Sequence, residues 1–325
     1  MMNEVNELVQ RLRASPYIRE KRFEDISSFN FTRDAFYTGH WDDLTTKARG
    51  LFVNTRTEEI VARGYDKFFN IDENPQSAME AIRQKAVYPI EVYKKENGYL
   101  GLISWNREKN ELIFATKSML ESSYVENLRC IFYHSGIDAD AVKLYLRRHG
   151  VTMIVEVIDP VLDPHIIEYS HAKLVLLDIV LNQIKPAYLI YPLLLYHAQR
   201  FHMECKKHVQ TIMDWKEVEQ IKWLCEHPAY FDETGRPFEG YVFRDSANHM
   251  FKMKTAYYLK WEKYRWQADR IIHDLPVQPE QDPFLSWVEQ NKNTLSGKSI
   301  IDMRNLYEFR THDKMTEPKK EGIIV

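Results

Sequence analysis

Apolar positions along the chain switch between two periods, and the switches outline the elements. Residues 3–14 repeat Val, Leu and Val/Leu at helical spacing, and an irregular aromatic stretch follows from Phe23 to Trp41. From Gly50 the period becomes that of strands: LFVN, a turn at TRTEE, then IVARGY. Asn74 to Ala86 reads as a helix entered through Pro75. IEVYKK, YLGLISW and ELIFATK are three further strand-like runs, with NREKN the clearest turn between them. Helical patterns cover 119–134 and 139–149. VTMIVEVI and KLVLLDIV are apolar, β-branched runs of the kind that form buried strands. Residues 192–227 read as largely helical, and EGYVFR and HMFKMK predict a hairpin around DSAN.

Strand patterns stop near Tyr257, and the remaining residues alternate helical runs with Pro276, Pro279 and Pro283. This shift predicts two units, 1–257 and 258–325, the second a small helical domain. The fold class is α+β, with mostly antiparallel sheets in the larger unit. Composition agrees with a globular chain: 44% hydrophobic, 28% charged, and only 11 Gly and 13 Pro in 325 residues, too few for long disordered tracts. The formal net charge is −3, so nucleic acid could be bound only through a local basic surface. Cys130, Cys205 and Cys225 form no CxxC pair, which argues against a disulfide framework or a zinc ribbon and for a reducing, cytoplasmic setting. No apolar run reaches membrane-spanning length; the nearest, Leu174 to Leu181, is interrupted by Asp178.

The candidate chemistry begins at Lys95-Glu96-Asn97-Gly98, read as a tight turn between two strands. A lysine that attacks phosphorus needs a fixed place, a lowered pKa and a backbone that admits a phosphate. A KxxG match alone is as well explained by a solvated turn lysine. Its neighbours change that balance. Lys47-Ala48-Arg49-Gly50 sets an arginine at a strand start, Lys67-Phe68-Phe69-Asn70 follows, and Lys117 ends a strand. Glu156 places one carboxylate in an apolar strand, which is costly unless it binds something. Glu239-Gly240-Tyr241-Val242 opens a strand with a second. Lys252 and Lys254 share one strand face, where like charges are unfavourable without an anion between them.

The order of these motifs resembles that of the covalent nucleotidyltransferases, the family of ATP-dependent ligases and capping enzymes. Within it the chain is most similar to the RNA-ligase branch typified by T4 RNA ligase 1 and to the ligase domain of fungal tRNA ligases. The similarity rests on ARGLF, KFFN and the segment EVIDPVLDPHIIEY, and covers about residues 40–265. Asn97 and Tyr99 depart from it, standing where the branch often has Asp and Ser. The resemblance implies an α+β nucleotidyltransferase (ATP-grasp-like) domain with ATP as cofactor, carried as covalent AMP, and Mg²⁺ or Mn²⁺. It implies that Lys95 becomes lysyl-AMP and that Arg49, Lys67, Glu96, Gly98 and Lys117 contact the nucleotide. Glu156 would hold the ribose or, with Glu239, a metal. Lys252 and Lys254 would neutralise the triphosphate, and Tyr258, or Tyr257 beside it, would touch adenine. The implied partner is RNA with 5′-phosphate and 3′-hydroxyl ends, with end-healing kinase or phosphatase partners and a monomeric enzyme.

Rival readings are a GTP-using capping enzyme, a DNA ligase, or an RNA-binding module on a lapsed catalytic scaffold. The Lys95, Glu239, Lys252 and Lys254 set argues against the last, and the lack of an OB-like β pattern after Lys254 argues against the others. Ser296-Gly297-Lys298-Ser299 resembles the end of a P-loop, but Lys292 stands where glycine is required, so Ser296 is expected to cap a helix. His165, His171, His202 and His208 lack metal-site partners and read as surface or core residues. Trp261 and Trp266 are expected on a helix face that packs inward. Six Lys/Arg against two Asp/Glu between Phe251 and Ile271 suit a solvated helix face and an RNA track equally.

Overall fold

A computed structural model describes residues 4–277 and 282–316; Asn3, Pro279 and residues 317–325 of the predicted tail lie outside the described residues. Helix Glu4–Ala14 buries Leu8, Val9 and Leu12 on one face. The aromatic stretch expected to be irregular contains regular structure. Strands β1 (Ile18–Phe23) and β2 (Ile26–Phe31) form a hairpin, and a short helix, Arg33–Thr38, is capped by Thr32. The strand period is hidden there because IREKRF carries charge on both faces and ISSFNF buries Ser27 and Ser28. With β3 (Leu51–Asn54) and β4 (Glu59–Arg63) these strands make an antiparallel sheet in chain order.

Two more sheets hold the other strands among the described residues. In chain order these are β5 (Ile90–Lys95), β6 (Tyr99–Asn106), β7 (Glu111–Thr116), β8 (Val151–Ile158), β9 (Lys173–Leu181), β10 (Glu204–Cys205), β11 (His208–Ile212), β12 (Gly240–Asp245) and β13 (Met250–Lys254). The second sheet runs β10-β9-β8-β6-β7, antiparallel except for β10 against β9; the third runs β11-β5-β12-β13, antiparallel throughout. Residues 192–227 are therefore less helical than expected: β10 and β11 separate helices Tyr191–Arg200 and Trp215–Glu226. Both are edge strands, β10 only Glu204-Cys205 and β11 the mixed run HVQTI, so pairing with β9 and β5, not local apolar period, makes them strands.

Each sheet buries one face conventionally. Helices Ser123–His134, Ala139–His149 and Tyr191–Arg200 cover the second sheet through Phe132, Leu146, Leu194 and Phe201 packed with Ile103, Val155 and Leu176. Helix Trp215–Glu226 covers the third through Trp215, Val218 and Ile221 packed with Val92, Phe243 and Phe251. Phe52 and Ala62 of the first sheet join Leu102 and Ile154 of the second in another cluster. The second and third sheets both contribute side chains to a cavity of about 640 Å³.

No strand follows β13 among the described residues. Helices Ala256–Ile272, Pro283–Gln290, Lys292–Leu295 and Ile300–Thr316 follow, and they bury Trp261, Tyr264, Phe284, Val288 and Met303 in a core of their own. Ile166, from the loop after β8, is buried in that same core, so the helices grip a loop of the larger unit. Ser296 follows helix Lys292–Leu295, and it is Ser299 that caps the last helix, its Oγ accepting from Asp302 N at 3.1 Å. Trp261 packs inward, whereas Trp266 is exposed under the Arg270 guanidinium, 4.9 Å from its ring centroid. Among the described residues no helix is long and apolar enough to cross a membrane.

Candidate active site

Strand register assembles the cations. β12 is the middle strand, and Gly240 pairs with Lys95 of β5 on one side and Lys254 of β13 on the other; two residues on, Val242 pairs with Tyr93 and Lys252. Paired residues point to the same face, so Tyr93, Lys95, Val242, Arg244, Lys252 and Lys254 all line the cavity while their neighbours Val92, Phe243 and Met253 face the apolar core. A side chain at Gly240 would not fit: its Cβ would lie 2.0 Å from Met253 O, and its φ of +149° disfavours L residues.

Lys95-Glu96-Asn97-Gly98 is not the hairpin turn that the sequence suggested. β5 and β6 belong to different sheets, and this loop crosses from one to the other, which local sequence does not encode. Asn97 holds the crossing. Its buried side chain accepts from Ile167 N at 3.0 Å and donates to Glu239 Oε2 at 2.8 Å and Tyr258 Oη at 3.1 Å, and its backbone N–H donates to Tyr169 Oη at 2.9 Å. Tyr169 in turn donates to Glu96 Oε2 at 2.9 Å. Gly98 N–H donates to Glu156 Oε1 at 2.9 Å, an approach only glycine permits, since a Cβ there would meet Val157 O at 2.2 Å. Lys95 Nζ rests 3.1 Å from Glu239 Oε2.

Charge around this loop is uneven. Eight Lys/Arg (Arg49, Lys94, Lys95, Lys117, Lys206, Arg244, Lys252, Lys254) and four Asp/Glu (Glu96, Glu156, Asp163, Glu239) line the cavity, so a chain of net charge −3 offers an anion a positive pocket. Burial pushes the Lys252 pKa down to about 7, helped by the charges of Lys67, Lys95 and Lys254. Burial also lowers Lys117, with Arg49 adding to the effect, and lowers Arg49 itself against the pull of Glu156. Lys95 behaves oppositely. Burial acts to lower its pKa, but Glu239 and Glu156 outweigh burial and raise it. The lowered pKa that an attacking lysine needs is thus not supplied to Lys95 by the protein's own charge set. Burial raises Glu156, with Lys95 opposing and Glu239 adding to the rise.

Of the residues the sequence singled out, Arg49, Lys95, Glu96, Gly98, Lys117, Glu156, Glu239, Lys252 and Lys254 line this one cavity. Lys67 and Tyr258 do not. Lys67 Nζ lies 4.0 Å from the Phe69 ring centroid and 3.6 Å from Glu73, in a neighbouring pocket, and reaches the site only through its charge. Tyr258 is buried, its hydroxyl spent on Asn97; Tyr257 accepts from Arg304 at 2.8 Å. Neither tyrosine is among the residues that line the cavity, although the Tyr258 ring lies 4.9 Å from Lys254 Nζ, which does. Lys254 is held by Glu262, at 2.7 and 2.9 Å, from that same helix.

For a divalent cation the protein offers Glu156 and Glu239, hard oxygen donors. No group of three or more His, Cys, Asp or Glu is poised to hold a metal among the described residues. Two carboxylates suit an ion such as Mg²⁺, whose remaining ligands are waters and phosphates. Sequence reasoning missed the buried set Asp178, Lys206, Arg244, Tyr65 and Tyr93. The argument that flagged Glu156, a carboxylate in an apolar strand, applies equally to Asp178 and would have found it.

Comparison with known proteins agrees with this geometry. Residues 47–258 match the RNA ligase family of T4 RNA ligase 1 type. The chain is 32% identical over 146 residues to tRNA ligase 1 of Schizosaccharomyces pombe, covering 41% of this chain and 19% of that protein. It is 23% identical to the tRNA ligase of Candida albicans, covering 94% of this chain and 44% of that protein. It therefore spans less than half the length of either relative. A putative ATP-dependent DNA ligase from Aquifex aeolicus superposes with a TM-score of 0.56 at 16% identity, over 93% of this chain and 75% of that one. An archaeal ATP-dependent RNA ligase does so with a TM-score of 0.55 at 12% identity, over 93% and 74%. These two share the nucleotidyltransferase fold. The family match covers well over half of the sequence: the chain belongs to the RNA ligase family of T4 RNA ligase 1 type.

Proposed function

We propose that this chain is an ATP-dependent RNA ligase that joins 5′-phosphate and 3′-hydroxyl ends. The observation that carries the reading is Lys95 Nζ, held 3.1 Å from Glu239 at the floor of a cationic cavity of about 640 Å³. Three in-line displacements follow. Lys95 attacks the α-phosphorus of ATP, forming a P–N bond and expelling pyrophosphate. An oxygen of the RNA 5′-phosphate then takes the adenylyl group, restoring Lys95. Finally the RNA 3′-hydroxyl attacks the activated phosphate, forming the phosphodiester and releasing AMP. Each step gathers charge on phosphoryl oxygens, so positioning and electrostatics supply most of the catalysis.

Lys252 and Lys117 answer the phosphate charge: neither forms an ion pair among the described residues, and desolvation disfavours their cationic forms without an anion. Lys254 is steadied by Glu262 beside the same face. Arg49 shares the cavity wall with them. Lys95 must lose a proton before it attacks, and Glu239 and Glu156 resist that loss. A divalent cation on Glu239 and Glu156 would offset their charge, lowering the Lys95 pKa, and would bind phosphate oxygens as a Lewis acid.

The organisation expected from sequence, a ligase unit 1–257 with helices 258–325 as a support, is part of this proposal. So is a role in RNA repair, including tRNA, with end-healing left to a kinase or phosphatase partner and the ligase acting as a monomer in the cytoplasm. The test is label transfer from α-labelled ATP with Mg²⁺, α-labelled GTP run alongside, followed by sealing of a nicked RNA. Label retained from ATP on the wild type and lost in Lys95→Ala is expected. Folded protein that takes no label from either nucleotide contradicts the proposal and revives the RNA-binding module.

A further inference from the structure

One end of the cavity carries charge that the phosphate chemistry does not use. Asp178 of β9 is fully buried. Its Oδ2 accepts from Tyr65 Oη at 2.7 Å, Lys206 Nζ at 2.8 Å and Arg244 Nη1 at 3.1 Å, and its Oδ1 accepts from Arg244 Nη1 at 3.2 Å. Lys206 and Arg244 both line the cavity, with Tyr65 and Tyr93, whereas Asp178 does not. Lys206 Nζ lies 4.0 Å from the centroid of the Tyr93 ring. An ammonium has three N–H donors, and Asp178 takes one of them. The carboxylate is already used by three side chains, so what this end can still offer a ligand is donors.

Its place along the sheet suggests which part of a nucleotide meets it. Tyr93 precedes Lys95 by two residues on the same face of β5, roughly 6.6 Å along the strand. Val242 pairs with Tyr93, and Leu177, the neighbour of Asp178 on β9, also lines the cavity. A nucleotide with its α-phosphorus at Lys95 and its long axis along β5 sets its base against Tyr93, Val242 and Leu177. The base edge farthest from the ribose then reaches Lys206. Adenine carries an acceptor, N1, on that edge; guanine carries an N–H there.

Building on the lysyl-AMP reading above, the geometry points to Lys206 as the residue that reads the base, donating a hydrogen bond to N1 of adenine while Asp178, itself bound by Arg244, holds it in place. Burial beside Arg244 leaves Lys206 with a weakened hold on its proton despite Asp178, so a neutral ring acceptor suits it better than nothing at all.

The test is equilibrium binding by calorimetry to Lys95→Ala protein, which takes up nucleotide without reacting, using ATP, 1-deaza-ATP and 7-deaza-ATP. With Lys206 present, 1-deaza-ATP binds roughly tenfold or more weakly than ATP, as loss of a hydrogen bond to a charged donor implies, and 7-deaza-ATP binds like ATP. In the Lys206→Met background ATP weakens to the level of 1-deaza-ATP and the difference between them vanishes. A merely structural lysine would weaken all three nucleotides together, and that result, or discrimination that survives Lys206→Met, overturns the assignment. Should the Met variant fail to fold, Lys206→Gln keeps a donor and must keep part of the discrimination; a folded Gln variant with none contradicts it. Wild-type protein that binds ATP with N1 discrimination yet forms no lysyl adduct would instead sink the covalent reading.

Discussion

The two ends of the cavity use the same residue types to opposite effect. At the Lys95 end, half-buried Lys252 and the more exposed Lys117 form no ion pair among the described residues, and desolvation of their ammonium groups depresses their proton affinities. At the Asp178 end, Lys206 and Arg244 are locked on one carboxylate, and the pull of Asp178 holds Arg244 above its ordinary pKa although burial opposes it. Partly desolvated cations without ion-pair partners are unfavourable arrangements that an incoming anion relieves. Buried cations with a partner fix the shape of a pocket. The first end is suited to bind and stabilise phosphates; the second fixes geometry and presents directed donors.

The largest effect should come from removing the one group that must form a bond. Lys95→Ala is expected to abolish self-adenylylation while leaving sealing of RNA that already carries a 5′-adenylyl group measurable, since that step needs no lysyl adduct. Assaying the two reactions separately checks this, and equal loss of both would show that Lys95 acts by holding the site together.

Arg244→Met sharpens the other half of the contrast. It leaves Asp178 with the Lys206 ammonium and the Tyr65 hydroxyl, and should cost about 3 kcal/mol of stability in denaturant unfolding. Lys252→Met, by contrast, removes a strained charge. It should unfold no more easily than wild type at pH 7, yet lose on the order of 10²-fold in the rate of adenylylation. The contrast breaks if the stability losses come out in the reverse order.

Lys252 also predicts a pH dependence. Its folded pKa of about 7 lies below that of an unfolded lysine, so between these values the unfolded chain binds more protons and stability rises with pH. In the same window triphosphate binding should take up a proton. Calorimetry at pH 8 in buffers of different ionisation enthalpy should register that uptake in wild type and not in Lys252→Met. The smallest effect is expected at Tyr258→Phe, which deletes one hydrogen bond to Asn97 and should cost about 1 kcal/mol, seen as a few-fold slower adenylylation. A much larger loss would mean that Tyr258 meets the nucleotide after all.

How far the sequence could be read follows the same division. Strands with one apolar face, such as IEVYKK and EGYVFR, were legible from period alone. So were Lys95, Glu156, Glu239, Lys252 and Lys254, because charges in or beside apolar strands need a reason. β1, β2, β10 and β11 were not legible, since they are polar and become strands only through their neighbours. Nor does local sequence say that β5 and β6 part into different sheets. That crossing turns Asn97 from an unexplained departure into the residue that ties Glu239, Tyr258 and the loop after β8 together. Asp178 was open to the argument that found Glu156, but its partners were not: Lys206 and Arg244 come from elements far apart in sequence, and only the fold brings them to it.

The most direct test of the central claim is to locate the adduct. Wild-type protein incubated with ATP and Mg²⁺, digested and examined by mass spectrometry, should carry one adenylyl group on the peptide containing Lys95, labile to acid as a phosphoramidate is and removed by added pyrophosphate. An adduct mapped to Lys94, Lys252 or any other residue, or one that pyrophosphate cannot reverse, would contradict the account.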